Sequence, residues 1–251
     1  MTDTSGPETV ALLAHRGYAA HYPENTLEAM QAAVDAGATL LEFDIQLSRD
    51  LVPFLLHDAD FKRTAGVEKS AFDLGADEIA AMPVGEEERL GEGFRDVRPP
   101  TLLAMVEALA GWKHVTAFVE VKGESIKQFG LEVVLAAVLP VITPVLEQCV
   151  VISFDADYVR EVRARTGRPI GWAIRTWNEE SHELAGQLMP DYLFCNHIKM
   201  PAELWAGPWI WVAYEITKPE MAQELAARGV SIFETMWFAE MHTALNTASD
   251  K

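Results

Sequence analysis

Ala14-His15-Arg16-Gly17 closes a short apolar run near the start of the chain, and a helix-start pattern follows it. A short apolar run that ends before a helix start is typical of a buried strand leading into a helix. This stretch therefore places an imidazole and a guanidinium at the carboxyl end of a strand. The same unit of strand and helix recurs along the chain, and that recurrence decides the fold.

The first predicted helix runs from about Thr26 to Ala36. Asn25, with Glu28 three residues later, makes a start that resembles a capping box. Gly37 supplies the stop. Five further helical patterns and a short one after Met236 follow, and they are Leu102–Ala110, Ile126–Leu139, Ala156–Thr166, Glu180–Leu188 and Pro219–Arg228.

Nine short apolar runs are candidate strands, and most of them alternate with the helices: Val10–Ala14, Thr39–Ile45, Val52–His57, Thr116–Val121, Cys149–Ser153, Ile170–Arg175, Tyr192–Cys195, Ile210–Tyr214 and Ser231–Glu234. Such alternation predicts a parallel sheet covered by helices. An α/β barrel takes about 250 residues as one domain, which matches this length and predicts a single domain over residues 1–251. A barrel has eight strand positions, and Tyr192–Cys195 is the weakest of the nine candidates.

Residues 58–100 interrupt this regular order. The segment is rich in Gly and Pro and has no long periodic stretch. A segment of this length within a compact domain indicates a functional insertion, and we predict a lid with a short helix around Asp77–Ala81. Its acidic cluster, Glu86-Glu87-Glu88, is predicted to be a solvated turn.

The formal net charge of −18 argues against binding to nucleic acid or to an anionic membrane surface. We find no run near the roughly 18 apolar residues of a membrane helix. Met1–Glu8 lacks the pattern of a signal peptide, so we expect a cytoplasmic protein. The two cysteines, Cys149 and Cys195, are interpreted as buried free thiols. The oligomeric state stays open.

Two strands carry acidic residues at alternate positions. Glu42 and Asp44 point to one face of their strand, and Glu120 with Lys122 repeats this spacing on another. Carboxylates packed together are costly unless a cation neutralises them, and oxygen ligands suit Mg²⁺ or Ca²⁺. The alternative is that these carboxylates only form salt bridges with Arg or Lys.

His15 and His57 each end an apolar run close to the carboxylate-bearing strands. Cleavage of a phosphodiester requires a base for the nucleophile and an acid for the leaving alkoxide, and His can do both near neutral pH. Arg16 and Lys122 supply cations for a phosphate. Taken singly, each of these residues could equally be structural; together they indicate a metal-dependent phosphodiesterase.

In this combination of motifs, the chain resembles the glycerophosphodiester phosphodiesterases. The resemblance covers roughly the first two thirds of the chain, and its pieces agree in order and spacing. They are His15-Arg16-Gly17, Pro23-Glu24-Asn25-Thr26, Gly37 leading to Glu42-Phe43-Asp44-Ile45, His57-Asp58 with Arg63-Thr64, Pro100-Thr101-Leu102, Glu120-Val121-Lys122 and Ser153-Phe154.

The resemblance implies a (β/α)₈ TIM barrel of the phospholipase C-like phosphodiesterase type, with an insertion after the strand that ends in His57. It implies a hydrolase of lipid and glycerol metabolism that converts a small glycerophosphodiester to glycerol 3-phosphate and an alcohol. By the same similarity, Mg²⁺ or Ca²⁺ would be held by Glu42, Asp44 and Glu120. His15 and His57 would share the acid and base roles, and Arg16 and Lys122 would contact phosphate.

The last third departs from the family pattern. Where relatives carry Trp-Thr-x-Asn and Thr-Asp-x-Pro, this chain has Tyr214-Glu215-Ile216-Thr217 and a strand ending in Glu234-Thr235-Met236. These elements shape the pocket for the alcohol, so the departure bears on substrate identity. Four residues at strand ends are candidates for this pocket: Arg175, Trp177, Glu215 and Trp237.

Two other functions compete with this one. A phospholipase D-like enzyme acting on a lysophospholipid would share the two histidines and the carboxylates, but that group is secreted and disulfide-linked. A non-catalytic barrel that binds a phosphorylated ligand would lack an acid, a base or a metal ligand, and none is missing here.

Overall fold

The computed structural model describes residues 10–249, so the expectation about Met1–Glu8 lies outside the described residues. It contains eleven strands within this range: β1 Ala11–His15, β2 Leu40–Leu47, β3 Pro53–Leu55, β4 Asp60–Phe61, β5 Val67–Ser70, β6 Thr116–Val121, β7 Cys149–Ser153, β8 Ile170–Ala173, β9 Tyr192–Asn196, β10 Ile210–Tyr214 and β11 Ile232–Thr235.

Eleven α-helices lie between and after the strands in the same range: α1 Leu27–Asp35, α2 Lys62–Ala65, α3 Ala76–Ala80, α4 Glu87–Leu90, α5 Leu102–Gly111, α6 Gly123–Phe129, α7 Leu131–Ile142, α8 Ala156–Thr166, α9 Glu179–Leu188, α10 Pro219–Ala226 and α11 Phe238–Ser249. The helix predicted near Asp77–Ala81 is α3.

Eight of the strands close into a parallel barrel. Their order around the barrel is β1-β11-β10-β9-β8-β7-β6-β2, and β1 pairs with β2 to complete the ring. The predicted (β/α)₈ TIM barrel is therefore confirmed. In such barrels the strands end together at one rim, where functional side chains collect.

The prediction that Tyr192–Cys195 is the weakest of the nine candidates for eight barrel positions was wrong. Val52–His57 contributes only β3, which pairs antiparallel with β2 outside the barrel, whereas the weakest candidate became the barrel strand β9. Only five residues separate β2 from β3, and a parallel crossover needs a dozen or more. The short connection therefore permits only an antiparallel return.

Side chains alternate between the inside and the outside of the barrel, as the period of a strand requires. Leu41, Phe43 and Ile45 of β2 pack outward in the large apolar core beneath the helices. A smaller cluster that includes Leu13, Phe118 and other inward-facing residues fills the barrel. The positions between the outward residues of β2 are Glu42 and Asp44, so both carboxylates belong to the inward set.

The insertion at residues 58–100 has an apolar cluster of its own. Phe61, Leu74, Ile79 and Val84 are buried there. The expectation of a solvated turn at Glu86-Glu87-Glu88 is wrong for Glu86, which is buried and accepts a hydrogen bond from the Glu24 backbone N–H at 2.7 Å. The insertion is thus fastened to the loop between β1 and α1.

The single helix predicted over Ile126–Leu139 corresponds to two helices in the structure. Gly130, with a φ of 89°, separates α6 from α7. The stretch Leu131–Gln148 is long and apolar enough to cross a membrane by length and composition, which corrects the expectation that no run qualifies. In the structure α7 buries Val134, Leu135 and other residues in the core beneath the helices.

Candidate active site and metal centre

Strand register brings the predicted residues together at the carboxyl rim of the barrel. His15 lies beside Glu42 where β1 pairs with β2, and Asp44 lies beside Glu120 where β2 pairs with β6. Carboxylate oxygens of Glu42, Asp44 and Glu120 all lie within 4.8 Å of one another. Residues that are 78 positions apart in sequence therefore form one acidic centre.

Asp44 is the carboxylate with the most cationic surroundings. The Lys122 Nζ lies 3.2 Å from one of its oxygens, and the Arg16 Nε lies 3.1 Å from the other. Burial favours the neutral acid, but Lys122 and then Arg16 outweigh it and hold the Asp44 pKa well below its usual range. Asp44 is therefore an anion in the folded protein.

Glu42 and Glu120 have the opposite tendency. Burial, followed by the nearby Asp44 charge, raises the Glu42 pKa well above its usual value. Burial also raises the pKa of Glu120, although the Lys122 Nζ donates to it at 2.7 Å. The positive charge around both carboxyls is too small to keep them ionised, and a bound cation would supply more.

The donor set fits a hard divalent ion. It consists of three carboxylates, which are ligands that Mg²⁺ and Ca²⁺ prefer. Glu42 Oε1 is buried and has no hydrogen-bond partner among residues 10–249. A buried carboxylate oxygen normally has a hydrogen-bond partner. The lack of one at Glu42 Oε1, within an acidic cluster, fits the role of a metal ligand.

The loop between β1 and α1 holds this centre in place. Asn25 adopts a left-handed φ of 55°, its side-chain N–H donates to the Asp44 carboxylate at 2.8 Å, and its oxygen accepts from the Asp44 backbone N–H at 3.0 Å. The predicted helix start is shifted by one residue, since Thr26 caps α1 by accepting from the Ala29 backbone N–H. Asn25 clamps the carboxylate instead.

Arg16 is fixed by contacts on three sides. Its backbone N–H donates to Glu42 Oε2 at 3.0 Å, and its backbone oxygen accepts from Asn25. Its guanidinium reaches both Glu24, at 3.0 Å, and Asp44. These contacts hold the residue in a left-handed conformation with a φ of 56°. Burial would lower the Arg16 pKa, but Asp44 and Glu24 raise it, so the side chain stays charged.

His15 and His57 differ in their surroundings. His15 is buried, with Nε2 3.9 Å from Glu42, and burial followed by the charge of Arg16 lowers its pKa well below the usual value. His57 is about one-third exposed, and its Nδ1 lies 2.6 Å from Asp58 Oδ1. His57 lines the same cavity as Lys122, which pairs with Asp44 and Glu120, so it lies near the acidic centre that His15 contacts through Glu42.

A line of ion pairs links His57 back to the β1–α1 loop. Asp58 accepts from Arg63 Nε at 2.8 Å, and Arg63 donates two hydrogen bonds of 2.7 Å to Glu24. Arg16 donates to the same Glu24 carboxylate. Arg63, which belongs to the insertion, therefore connects Asp58 beside His57 with Glu24 beside Arg16.

A cavity of about 500 Å³ opens beside this centre. His57, Lys122, Phe154 and Arg175 are among the residues that line it. The Arg175 guanidinium lies over the Phe154 ring, 4.5 Å from its centroid. Of the four residues predicted for the pocket, Arg175 is the one that lines this cavity.

The other three predicted pocket residues lie elsewhere. Trp177 packs against Trp205 and Trp211, with ring centroids 4.1 and 5.3 Å apart, on the outer side of the barrel. Its ring therefore packs against two other indole rings, and its pocket role stays a prediction. Glu215 follows β10, is exposed and accepts from Asn196 at 2.8 Å. Trp237 follows β11 and is partly exposed, with its ring edge against His21.

Glu234 is a residue that the sequence reasoning did not select. It is buried, and its carboxylate lies within 4.8 Å of ligand atoms of His15 and Glu42. Burial, followed by the charge of Glu120, raises its pKa well above the usual value. The signal was present: Glu234 lies two positions after Ile232, which faces into the barrel, so the strand period directs it inward as well.

The two cysteines are both free and buried, as predicted. Burial raises the pKa of each thiol to about 12. Neither belongs to the acidic centre.

Comparison with known proteins points to one family. The family model described as "Glycerophosphoryl diester phosphodiesterase family" matches residues 15–231. Rat glycerophosphodiester phosphodiesterase 1 is 37% identical over 119 residues, 47% of this chain and 35% of the relative. A glycerophosphodiester phosphodiesterase of Caldanaerobacter subterraneus subsp. tengcongensis is 31% identical over 152 residues, 61% of each chain. The chain thus spans about a third of the rat protein's length.

Solved structures share the fold. A phosphodiesterase of Oleispira antarctica, solved in complex with the product sn-glycerol-3-phosphate, has a TM-score of 0.84 at 21% identity and covers 94% of this chain and 96% of its own. The glycerophosphodiester phosphodiesterase of Thermotoga maritima has a TM-score of 0.71 at 24% identity, covering 94% and 98%. At these identities the likeness concerns the fold.

Proposed function

Because the chain belongs to the glycerophosphoryl diester phosphodiesterase family, we propose that it hydrolyses a small glycerophosphodiester to glycerol 3-phosphate and an alcohol. The observation that carries this proposal is the acidic centre of Glu42, Asp44 and Glu120, which has His15 beside Glu42 and lies next to a cavity lined by His57 and Lys122. The bound product in the Oleispira antarctica structure supports the choice of product.

In this proposal, Glu42, Asp44 and Glu120 hold a divalent cation, Mg²⁺ or Ca²⁺. Such an ion would neutralise phosphate charge and polarise a phosphoryl oxygen. Asn25 and Lys122 already fix the Asp44 carboxylate by hydrogen bonds, so this ligand is preorganised.

Arg16 and Lys122 would contribute positive charge for the substrate phosphate. Lys122 is buried, the Arg16 side chain is only 11% exposed, and both are paired with Asp44. Fixed cations in a water-poor site stabilise charge that develops in the transition state more strongly than mobile ones in water. Arg175 also lines the cavity and would contact the alcohol part of the substrate.

His15 and His57 would share the two proton transfers. One ring takes the proton of the nucleophile, and the other gives a proton to the leaving alkoxide. Asp58 holds Nδ1 of His57, which leaves Nε2 of that ring for the substrate.

Release of glycerol 3-phosphate from glycerophosphocholine tests this function, with Mg²⁺ or Ca²⁺ and with or without a chelator. We expect chelation to abolish release, and His15→Ala or His57→Ala to lower turnover by about 10²- to 10⁴-fold. His114→Ala is the matched control, because His114 is exposed and lies before β6, at the opposite end of the barrel. Wild-type turnover in the His15→Ala protein would contradict the assignment.

A further inference from the structure

Glu42 belongs to a second group of metal-ligating atoms besides the acidic centre. His15, Glu42 and Glu234 each offer one nitrogen or oxygen, and these three atoms lie within 4.8 Å of one another. Their residues are 8%, 1% and 4% exposed, so all three are more than nine-tenths buried. The group sits on the β11–β1–β2 side of the barrel rim, because β1 pairs with both of its neighbours there.

Several polar atoms of this group lack partners within the described residues, whereas Glu42 Oε2 accepts from the Arg16 backbone N–H. His15 Nδ1 and Glu42 Oε1 are buried without a hydrogen bond among residues 10–249. In the same range, the Glu234 carboxylate takes part in no side-chain hydrogen bond or ion pair. Leaving such groups unpaired in a buried place costs free energy, so their presence in one spot indicates a missing ligand.

The neighbouring cations do not meet this need. Arg16 pairs with Glu24 and Asp44, and Lys122 pairs with Asp44 and Glu120. Neither forms an ion pair with Glu234 in the described range. The ligand that these atoms require is therefore positively charged and accepts lone pairs from one imidazole and two carboxylates.

We propose that His15, Glu42 and Glu234 form a second cation site, which takes a divalent transition ion such as Zn²⁺. An imidazole nitrogen among the donors favours such an ion over Mg²⁺ or Ca²⁺, whereas the three carboxylates of the first centre favour the hard ions. Glu42 is common to both groups and would be shared between the two ions.

This site has a functional consequence that rests on the proposed function. His15 is one of the two rings proposed to move protons, and a ring nitrogen bound to an ion cannot accept or donate a proton. Occupation of the second site would therefore inhibit the hydrolysis that the ion at the first centre supports.

Zinc binding, measured in the full chain by isothermal titration with Mg²⁺ in saturating excess, tests the site without reference to activity. We expect the wild-type chain to take up one Zn²⁺ ion. Glu234→Gln and His15→Asn should each weaken Zn²⁺ binding by at least about tenfold, because each replaces a carboxylate or imidazole ligand with a neutral amide that binds Zn²⁺ more weakly.

Glu240→Gln is the matched control. Glu240 forms an exposed pair with His21, with Nε2 and Oε1 2.6 Å apart, which is the kind of surface pair that binds Zn²⁺ adventitiously. We expect this variant to bind Zn²⁺ like the wild type. Unchanged zinc binding in both Glu234→Gln and His15→Asn, or a loss confined to Glu240→Gln, would overturn the proposal.

Activity assays on the same proteins separate the two proposals. Inhibition of Mg²⁺-dependent glycerol 3-phosphate release by Zn²⁺, at the concentration at which Zn²⁺ binds, supports both. Zinc bound as expected in a wild-type chain that releases no product with Mg²⁺ or Ca²⁺ would refute the proposed function and leave the site standing. An active wild type whose activity is insensitive to bound Zn²⁺ would refute the inhibitory role.

Discussion

Glu24 shows how a single buried charge holds the loop against the acidic centre. Its carboxylate accepts from Arg16 and twice from Arg63, and its backbone N–H donates to Glu86. Burial would raise its pKa, but Arg16 and then Arg63 lower it. One residue therefore links the β1–α1 loop to two parts of the insertion.

We expect Glu24→Gln to destabilise the protein by about 2 kcal/mol at neutral pH, because Arg16 and Arg63 each lose one of the two carboxylates that they contact. The lowered pKa fixes the sign of the pH dependence. The charged form stabilises the fold above the ordinary value of 4.5, and this contribution is lost as the pH falls through the lowered pKa. Urea unfolding of both proteins at several pH values measures the difference.

The difference should therefore shrink as the solution becomes acidic. Glu68→Gln is the control, since Glu68 and its partner Lys62 are both mostly exposed and such pairs contribute little. A Glu24→Gln effect that grows on acidification, or one no larger than that of the control, would contradict this account of the ion-pair network.

Residue-level patterns predicted part of the site. Alternation along a strand was sufficient to direct Glu42, Asp44 and Glu120 inward. Glu234 was not predicted, because its strand does not match the family pattern. Alternation along that strand nevertheless directs the Glu234 side chain into the barrel. The environment of Glu86 could not be predicted, because its burial depends on a contact with Glu24, 62 positions away.

At the scale of elements, the β1–α1 loop packs closely against helix α1, and this contact positions the loop residues of the acidic centre. Gly17 has a φ of 79°, and a Cβ built on it would lie 2.6 Å from the backbone carbon of Ala29. The next residue, Tyr18, donates its backbone N–H to the Ala29 carbonyl at 2.9 Å. Only glycine permits this contact between the loop and the helix.

We expect Gly17→Ala to destabilise the chain by roughly 3 kcal/mol or more, which combines the cost of a left-handed alanine with that of a backbone clash. Gly167→Ala is the matched control, because Gly167 also has a positive φ of 65° but has open space around it. The control should lose only about 1 kcal/mol. Equal shifts of the two urea midpoints would show that close packing at Gly17 is unimportant.

Element boundaries were predicted unevenly, for identifiable reasons. Asp155 caps α8 as expected, by accepting from the Tyr158 backbone N–H, since that contact is local in sequence. The role of β3 follows from a connection that is too short for a crossover, a criterion that hydrophobicity alone does not include. No α-helix joins β9 to β10 in the described chain, so Tyr192–Cys195 lacks the following helix that most of the other predicted strands have.

At the scale of the whole molecule, the net charge of −18 has to be compatible with the anionic substrate that we propose. Distant surface charge is screened over about 8 Å in physiological salt, so the local groups decide what enters. Near the cavity these groups include Lys122 and Arg175. The global repulsion should therefore slow substrate encounter more than it weakens binding.

The overall architecture was the most predictable feature, because strand and helix alternation repeats along most of the chain and does not depend on any one residue. The single-domain organisation, the lid role of residues 58–100 and the cytoplasmic location stay predictions. What alternation cannot supply is the register between strands. It is register that brings His15 beside Glu42 and Asp44 beside Glu120.

In the proposed active site, carboxylates of separate strands share one divalent ion. An anomalous difference map from crystals of the full chain soaked with Mn²⁺, a substitute for Mg²⁺ that prefers the same oxygen ligands, measures this directly. We predict a peak bounded by the carboxylates of Glu42, Asp44 and Glu120 in the wild type, and its loss in Asp44→Asn crystals. A wild-type map with no peak there, or with Mn²⁺ bound only at other carboxylates, would contradict the account.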